Sequence, residues 1–523
     1  MNVDVPVRLF ALTCVLGVAS PAIGLAAEHR LTLDQAISLA LEHNEDILVE
    51  REQLASADSA ATGASGAYEP LLQVEGGWVR ARPPVNSPFS GAPEDRLAPA
   101  IDTADTGASV RQLLPTGGEL SFRASASRET TDGVFTLLSP SYATQVGVEL
   151  RQPLLRDRAI DAARFALRVT AADRDRAGAS LRRGVTETVS AVDRAYWTLV
   201  AVRREVEVRE EAVRLAEEQL SETSTRIERG AVPEAEIAQP RAELERRRGE
   251  LLASREAASR SENALKTLIL SDTDPSWSEP IIPADRPELE VSTVDLTESM
   301  ERALAARPEL DVAKAVLERR TVETAFADDG VRPLLDLVVS YDAYGLAGLQ
   351  NPAGATIPGL SAGVPEKLQG SVGQSLARLG GGDFYDVRAG VILQFPIGNR
   401  SAKAEAAVAR SNARQAEAEL ARVRKAVRAE VLDAAAALDT ASQRTEAARA
   451  AREAAEVQLS SEQERYAAGL STNFLVLTRQ NDLSRARLDE IAALIDYRKA
   501  RTEMARATGS LLEEHRIQVD GIE

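Results

Sequence analysis

The chain has 523 residues, 44% of them apolar and 27% charged, with a formal net charge of −18. So acidic a balance argues against a nucleic-acid partner, and a single cysteine, Cys14, excludes a disulfide framework or a zinc-thiolate site. The three histidines, His29, His43 and His515, are too scattered to suggest a metal centre.

The first element is a leader. Arg8 precedes an apolar run from Leu9 to Val18, and Gly24-Leu25-Ala26 supplies small residues, so residues 1–26 read as a secretory signal peptide cut after Ala26. About ten apolar residues are too few to span a bilayer. Cys14 follows Ala11-Leu12-Thr13, which is not a lipoprotein-type sequence, so no lipid anchor is expected. Nowhere else does an apolar run approach the length of a transmembrane helix. An exported chain of this kind is soluble, secreted or inserted as a β-barrel.

After the leader the chain reads as two similar halves, a first repeat over 27–275 and a second over 297–523, joined by a linker at 276–296. Each half predicts a helix, a strand region, a very long helix, a tight tip and a further helix. In the first half these are a helix over 33–64, strands at 71–82, 107–128 and 142–152, a long helix over 159–229 and a helix over 234–269. In the second they are a helix over 297–327, strands at 334–344 and 384–395, a long helix over 401–468 and a helix over 473–508, followed by a C-terminal tail. The stretch from Ala402 to Ala468 contains neither proline nor glycine, and its apolar stripe of Leu420, Val423, Val427, Val431, Ala434 and Leu438 recurs at spacings of three and four. At about 1.5 Å per residue such a helix is roughly 100 Å long. So narrow and small a stripe requires neighbouring helices in a coiled-coil-like layer.

The strand regions alternate with period two. Leu335, Leu337, Val339 and Tyr341 interleave with Asp336, Val338, Ser340 and Asp342; Tyr385, Val387, Ala389, Val391 and Leu393 interleave with Asp386, Arg388 and Gly390. Leu72, Val74 and Trp78 stand against Gln73 and Glu75, and Tyr142, Thr144, Val146, Val148 and Leu150 against Gln145, Glu149 and Arg151. At about ten residues each, these strands suit a tilted crossing of a bilayer. Thin Ala-rich helices offer nothing to hide such faces, so Trp78, Val146, Val148, Leu337, Val339, Val391 and Leu393 are expected to face lipid. Long Pro-, Gly- and Ser-rich loops at 83–103 and 345–382 suit the outside. A hairpin around Pro115-Thr116-Gly117-Gly118 also alternates, and whether it joins the other strands, giving four or six per copy, the sequence leaves open.

The duplication is visible in motifs. RIERGAVPEAEIA (226–238) and RYAAGLSTNFLVL (465–477) align at an offset of 239, with AEEQL and AEVQL before them. ALEHNEDI (40–47) and ALAARPEL (303–310) align at 263, as do Pro70-Leu71-Leu72 and Pro333-Leu334-Leu335, while Pro153 and Pro396 align at 243. No phosphate loop, catalytic triad signature or metal motif is present, so neither an enzyme nor a cofactor is expected.

With its doubled halves, strand-ending prolines and paired Arg-x-x-x-Gly tips, the chain from Leu31 to about Leu512 resembles the outer-membrane efflux protein family typified by TolC. The resemblance implies an α+β membrane protein in the outer membrane of a Gram-negative cell, with a large periplasmic portion. In it a homotrimer shares one transmembrane β-barrel, continued by a long periplasmic α-helical barrel. It further implies a passive conduit of a tripartite efflux or type I secretion system, in contact with outer-membrane lipid. A periplasmic adaptor (membrane fusion protein) and an inner-membrane transporter, of RND, ABC or similar type, would be its partners. By the same resemblance, adaptor hairpins would dock at Arg229, Gly230, Ala231 and Val232 and at Ala468, Gly469, Leu470 and Ser471. The periplasmic entrance would lie near Glu236, Pro240, Leu475 and Thr478, with Pro240 expected to bend its helix. The best-known members carry paired aspartates at the positions of Leu475 and Thr478, a departure that weighs against a cation-sensitive gate there. The competing reading is a periplasmic adaptor or coiled-coil structural protein of the envelope. An adaptor should have one helical hairpin between compact β-domains, whereas here the long helices occur twice.

Overall fold

The computed structural model describes residues 29–84, 91–93, 96–230, 232–289, 294–354 and 363–519. The expected leader and Ala231 lie outside the described residues. The first half contains β1 (His29–Leu31), α1 (Leu33–His43), α2 (Glu45–Ser65), β2 (Leu71–Ala81), β3 (Ile101–Leu113), β4 (Glu119–Thr131), β5 (Leu138–Pro153), α3 (Ala162–Glu228) and α4 (Ala238–Ile269). Then follow β6 (Ile281–Pro283), α5 (Leu296–Ala306), α6 (Pro308–Gly330), β7 (Leu334–Gln350), α7 (Val372–Leu379), β8 (Tyr385–Gln394), α8 (Arg400–Ala467), α9 (Asn473–Thr508) and α10 (Leu511–Glu514).

The two long helices, α3 with 67 residues and α8 with 68, are uninterrupted. Along α8, Leu420, Val427, Val431, Ala434 and Leu438 are buried and the faces between them are exposed. Ion pairs one turn apart, such as Arg422 with Glu419, line the solvent side.

The shorter helices depart from expectation in an ordered way. The helix expected over 33–64 is broken at Asn44, and the one expected over 297–327 at Arg307, positions related by the same offset of 263 as the motifs around them. At the second break Pro308 opens α6 and leaves Arg307 extended, with φ −71° and ψ 122°. At the first, Asn44 adopts nearly the same conformation, φ −70° and ψ 125°, and its side-chain amide donates to the Leu268 carbonyl at 3.2 Å. Pro240 does not bend a helix, contrary to expectation. A 3₁₀ turn covers Glu234–Ile237 and α4 starts only at Ala238, so Pro240 sits in the first turn, where its missing N–H costs nothing.

The described residues form two compact units. One gathers residues up to Asn44 with Thr188–Ser292 and Leu438–Thr502. In it β1 and β6 pair in parallel, His29 opposite Ile281, so that the linker expected at 276–296 contributes a strand. Tyr196 is fully buried beside them, its hydroxyl 2.7 Å from Asp285 Oδ2 and 2.9 Å from the Leu31 carbonyl. Burial pushes that hydroxyl's pKa far above the ordinary phenol value.

The other unit gathers Glu45–Glu187, Thr293–Ala437 and the C-terminal segment, and contains the main sheet. At its α5–α6 break the buried Arg307 guanidinium donates to Glu309 at 2.8 and 2.9 Å, to Glu430 at 2.9 Å and to the Ala507 carbonyl at 3.3 Å. Burial pulls the Arg307 pKa down, but its two carboxylate partners outweigh that and raise it. Glu309 is the mirror case: burial lifts its pKa, and the Arg307 fork more than reverses the lift, leaving it below the usual value.

Candidate functional site

The six strands β2-β3-β4-β5-β7-β8 form one antiparallel sheet in that order. The hairpin left open by the sequence therefore belongs to it, as β3 and β4, between β2 and β5. The strands also outrun their expected spans. β7 continues to Gln350, because Ala343, Gly345 and Ala347 are small but remain in register with β5.

Register fixes the faces. One row reads Leu72, Val110, Phe122, Val148, Tyr341 and Val387 across the six strands, and the next reads Val74, Ala108, Ala124, Val146, Ala343 and Tyr385. Val339 lies on this face opposite Leu150, Leu337 opposite Val391, Leu335 opposite Leu393, and Trp78 opposite Ala104. All seven residues expected to face lipid thus share one face; Trp78 is 65% accessible, Val391 62% and Leu393 66%, while Val148 and Leu337 are half-buried. The opposite face carries Gln73, Glu75, Ser109, Arg111, Ser121, Arg123, Gln145, Glu149, Arg151, Asp336, Ser340, Asp342, Asp386 and Arg388. There Arg151 pairs with the buried Asp336 at 2.6 Å and Gln145 donates to Asp342 at 3.0 Å.

The apolar face has polar limits. At the end away from the helices, Arg80 pairs with Asp102 at 2.7 Å and lies 5.9 Å from the Trp78 ring, while Arg128 and Tyr142 share the Trp78 row. From Leu335 to Ala347 in β7 is twelve steps, about 40 Å along the strand at ~3.4 Å each. At the ~40° tilt of membrane strands this is about 30 Å of height, the thickness of a bilayer core. Both edge strands are open: β2 pairs only with β3 and β8 only with β7 among the described residues.

The two tips close alike. Gly230 and Gly469 have φ of +69° and +75°, a conformation only glycine adopts without strain. The Gly469 N–H bonds the Tyr466 carbonyl at 3.0 Å and the Leu470 N–H the Arg465 carbonyl at 2.8 Å, a Schellman closure. Gly230 makes the corresponding bond to Ile227 at 2.8 Å. Arg229, Gly230, Ala468, Gly469 and Leu470 are exposed, Leu470 by 73%. Val232 and Ser471 are half-buried, the Ser471 hydroxyl bonding the buried Glu462 carboxylate.

Among the residues expected at the entrance, Glu236 is exposed and Leu475 is 39% accessible, whereas Pro240 is buried. The Thr478 hydroxyl turns back to the Phe474 carbonyl at 2.8 Å. A contact that the sequence did not reveal joins the tips: the Arg226 guanidinium donates to the Tyr466 hydroxyl and lies 5.9 Å from its ring centre. The repeat aligns Arg226 with Arg465, not with Tyr466, so only the fold brings the pair together.

Residues 300–510 match the model of the outer membrane efflux protein family. No curated protein matches the sequence. Among solved structures, the CmeC outer membrane channel of Campylobacter jejuni superposes with a TM-score of 0.62 at 15% identity, over 92% of this chain and 86% of that one. VceC of Vibrio cholerae gives 0.60 at 15%, over 91% and 96%, and the open state of the Neisseria gonorrhoeae MtrE channel gives 0.59 at 15%, over 92% and 89%. The family match thus falls on the second repeat, and over about nine-tenths of its length the chain has the fold of these TolC-like outer-membrane channels.

Proposed function

We propose that three copies join edge to edge into one transmembrane β-barrel, continued by a helical tunnel through the periplasm, and act as the passive exit duct of a tripartite efflux or type I secretion system. One observation carries the reading: a six-stranded sheet, apolar on one face and polar on the other, with both edges open. In hydrocarbon an unpaired edge leaves backbone N–H and C=O groups without partners, at several kcal/mol each, and only closure removes it. The apolar face, with Trp78, Val146, Val148, Leu337, Val339, Val391 and Leu393, then meets lipid, and the polar face lines water. Leu48 and Val49, both more than half exposed beside an open groove between α2 and α3, suit a neighbouring copy.

Opening belongs to the tips. Arg229 to Val232 and Ala468 to Ser471 are the turns on which the hairpins of an adaptor would dock, with Arg229, Gly230, Ala468, Gly469 and Leu470 exposed to receive them. Docking would pull the Arg226–Tyr466 tie apart and widen the entrance near Glu236, Pro240, Leu475 and Thr478. The chain has no site chemistry of its own in this reading, so an inner-membrane transporter supplies the energy. The test is purification and planar-bilayer conductance. A detergent-dependent trimer that conducts, and conducts more once the adaptor is added, is expected; a chain that stays soluble and monomeric without detergent refutes the duct.

A further inference from the structure

The helix α7 lies in the β7–β8 connection and packs on the apolar face of the sheet, against β5 and β7. Contact is made through its smallest side. Ser375, fully buried, sets its hydroxyl 2.9 Å from that of Thr144, and the approach is so close that a Cβ on Gly345 would stand 1.9 Å from the Ser375 carbonyl oxygen. Ala343 and Ala347 on the same face are buried, in contrast to their large exposed neighbours Tyr341 and Tyr385. The sheet thus presents a patch of Thr, Gly and Ala where the helix lies.

The remaining faces of α7 are sorted. Val372 and Leu376 stand one turn apart and are 42% and 51% accessible, while Gln374 and Arg378 occupy the other flank. An isolated eight-residue helix is unstable in water. This one is started by Ser371, whose N–H donates to Gln374 Oε1 at 2.9 Å, and ended by glycines at 380–382. Its place along the strands is at the polar limit of the apolar band: Ala347 shares a register row with Tyr142, Arg128, Ala104 and Trp78.

We propose that α7 is an interfacial anchor, docked on the outside of the sheet by Ser375 and turned into the lipid of the outer leaflet by Val372 and Leu376, with Arg378 at headgroup level. The occupant of its apolar flank is lipid because that flank continues, without a break, the sheet face assigned to lipid above, and the inference rests on that reading. Amphipathic helices with a basic polar flank bind this zone of a membrane. The helix thereby ties the long outer β7–β8 connection to the membrane surface.

The test uses the full chain with Cys14→Ser, reconstituted in phospholipid nanodiscs, carrying Leu376→Cys or Val391→Cys labelled with an environment-sensitive fluorophore. Nitroxide-bearing phospholipid is the quencher. The expected result is at least twofold quenching at both positions, with Gln374→Cys quenched less than Leu376→Cys. Quenching at Val391 but not at Leu376 overturns the anchor and leaves the sheet reading intact. Quenching at neither overturns the sheet reading itself, and the anchor with it.

Discussion

Arg226 and Tyr466 hold the hairpin tips together by one hydrogen bond and one ring contact, both exposed to water. Exposed contacts of this kind are individually weak, which suits the opening proposed for the tips. Tyr466→Phe removes the hydrogen bond and keeps the ring, and Tyr466→Ala removes both. Single-channel conductance is expected to rise in that order, and a Tyr466→Ala channel no more open than wild type refutes the tie as a gate. The Arg307 cluster carries the opposite kind of prediction. Arg307→Met strands Glu309 and leaves Glu430 with Arg506 as its partner, and losing one partner of a buried ion pair costs about 3 kcal/mol, the lower end of the range because both carboxylates keep some water. A lower melting temperature in detergent follows. Glu309 has a folded pKa below its unfolded value of about 4.3. Its stabilisation is therefore complete above that value and is lost as pH falls through the lower folded one. Glu309→Gln is expected to flatten this acid limb of the melting curve; an unchanged limb assigns the pH dependence elsewhere.

Among the elements, the strands and long helices were legible and the breaks were not, for a physical reason. Period-two alternation over ten residues and a proline-free Ala-rich run are signals written in many residues at once, so the strand faces and the spans of α3 and α8 could be read directly. Asn44 and Arg307 are single residues whose side chains are received at the breaks by the Leu268 carbonyl and by Glu309 and Glu430, partners that the helix pattern itself does not mark. Pro308 was the available signal, since the residue before a proline avoids helix, and the motif offset would have carried the break back to Asn44. The helix α7 was hidden for another reason. It is eight residues long, it sits among glycines, and the surface that stabilises it belongs to β5 and β7. This dependence is testable. Gly345→Val places side-chain atoms where the Ser375 carbonyl lies; α7 must leave the sheet. Trypsin is then expected to cut after Arg378 at least tenfold faster than in wild type, and unchanged cleavage means that α7 does not depend on that approach.

For the whole molecule, in the proposed trimer, the hairpin β3–β4 would set the size of the pore. Three copies of the six-stranded sheet would close into eighteen strands, whereas the same chain without the hairpin would close into twelve. The hairpin reads as an insertion that disturbs nothing around it. Leu72 of β2 and Phe122 of β4 lie in one row with Val148 of β5, so β2 can take the place of β4 with both faces preserved. The cut ends already touch: the Ala100 N–H donates to Asp132 Oδ1 at 2.7 Å and the Asp132 N–H to the Ala100 carbonyl at 3.4 Å. Deleting residues 101–131 and joining Ala100 to Asp132 is therefore expected to leave a folded trimer. Barrel diameter grows roughly in proportion to strand number, so its barrel should shrink by about a third. Electron microscopy of purified particles measures that directly. Because a narrower barrel excludes smaller polymers, polyethylene glycols added on the barrel side should stop entering at a lower mass. A deletion variant that keeps the wild-type diameter would mean that β3 and β4 do not belong to the barrel wall, and one that purifies only as monomers would mean that β2 and β5 do not pair when the hairpin is gone.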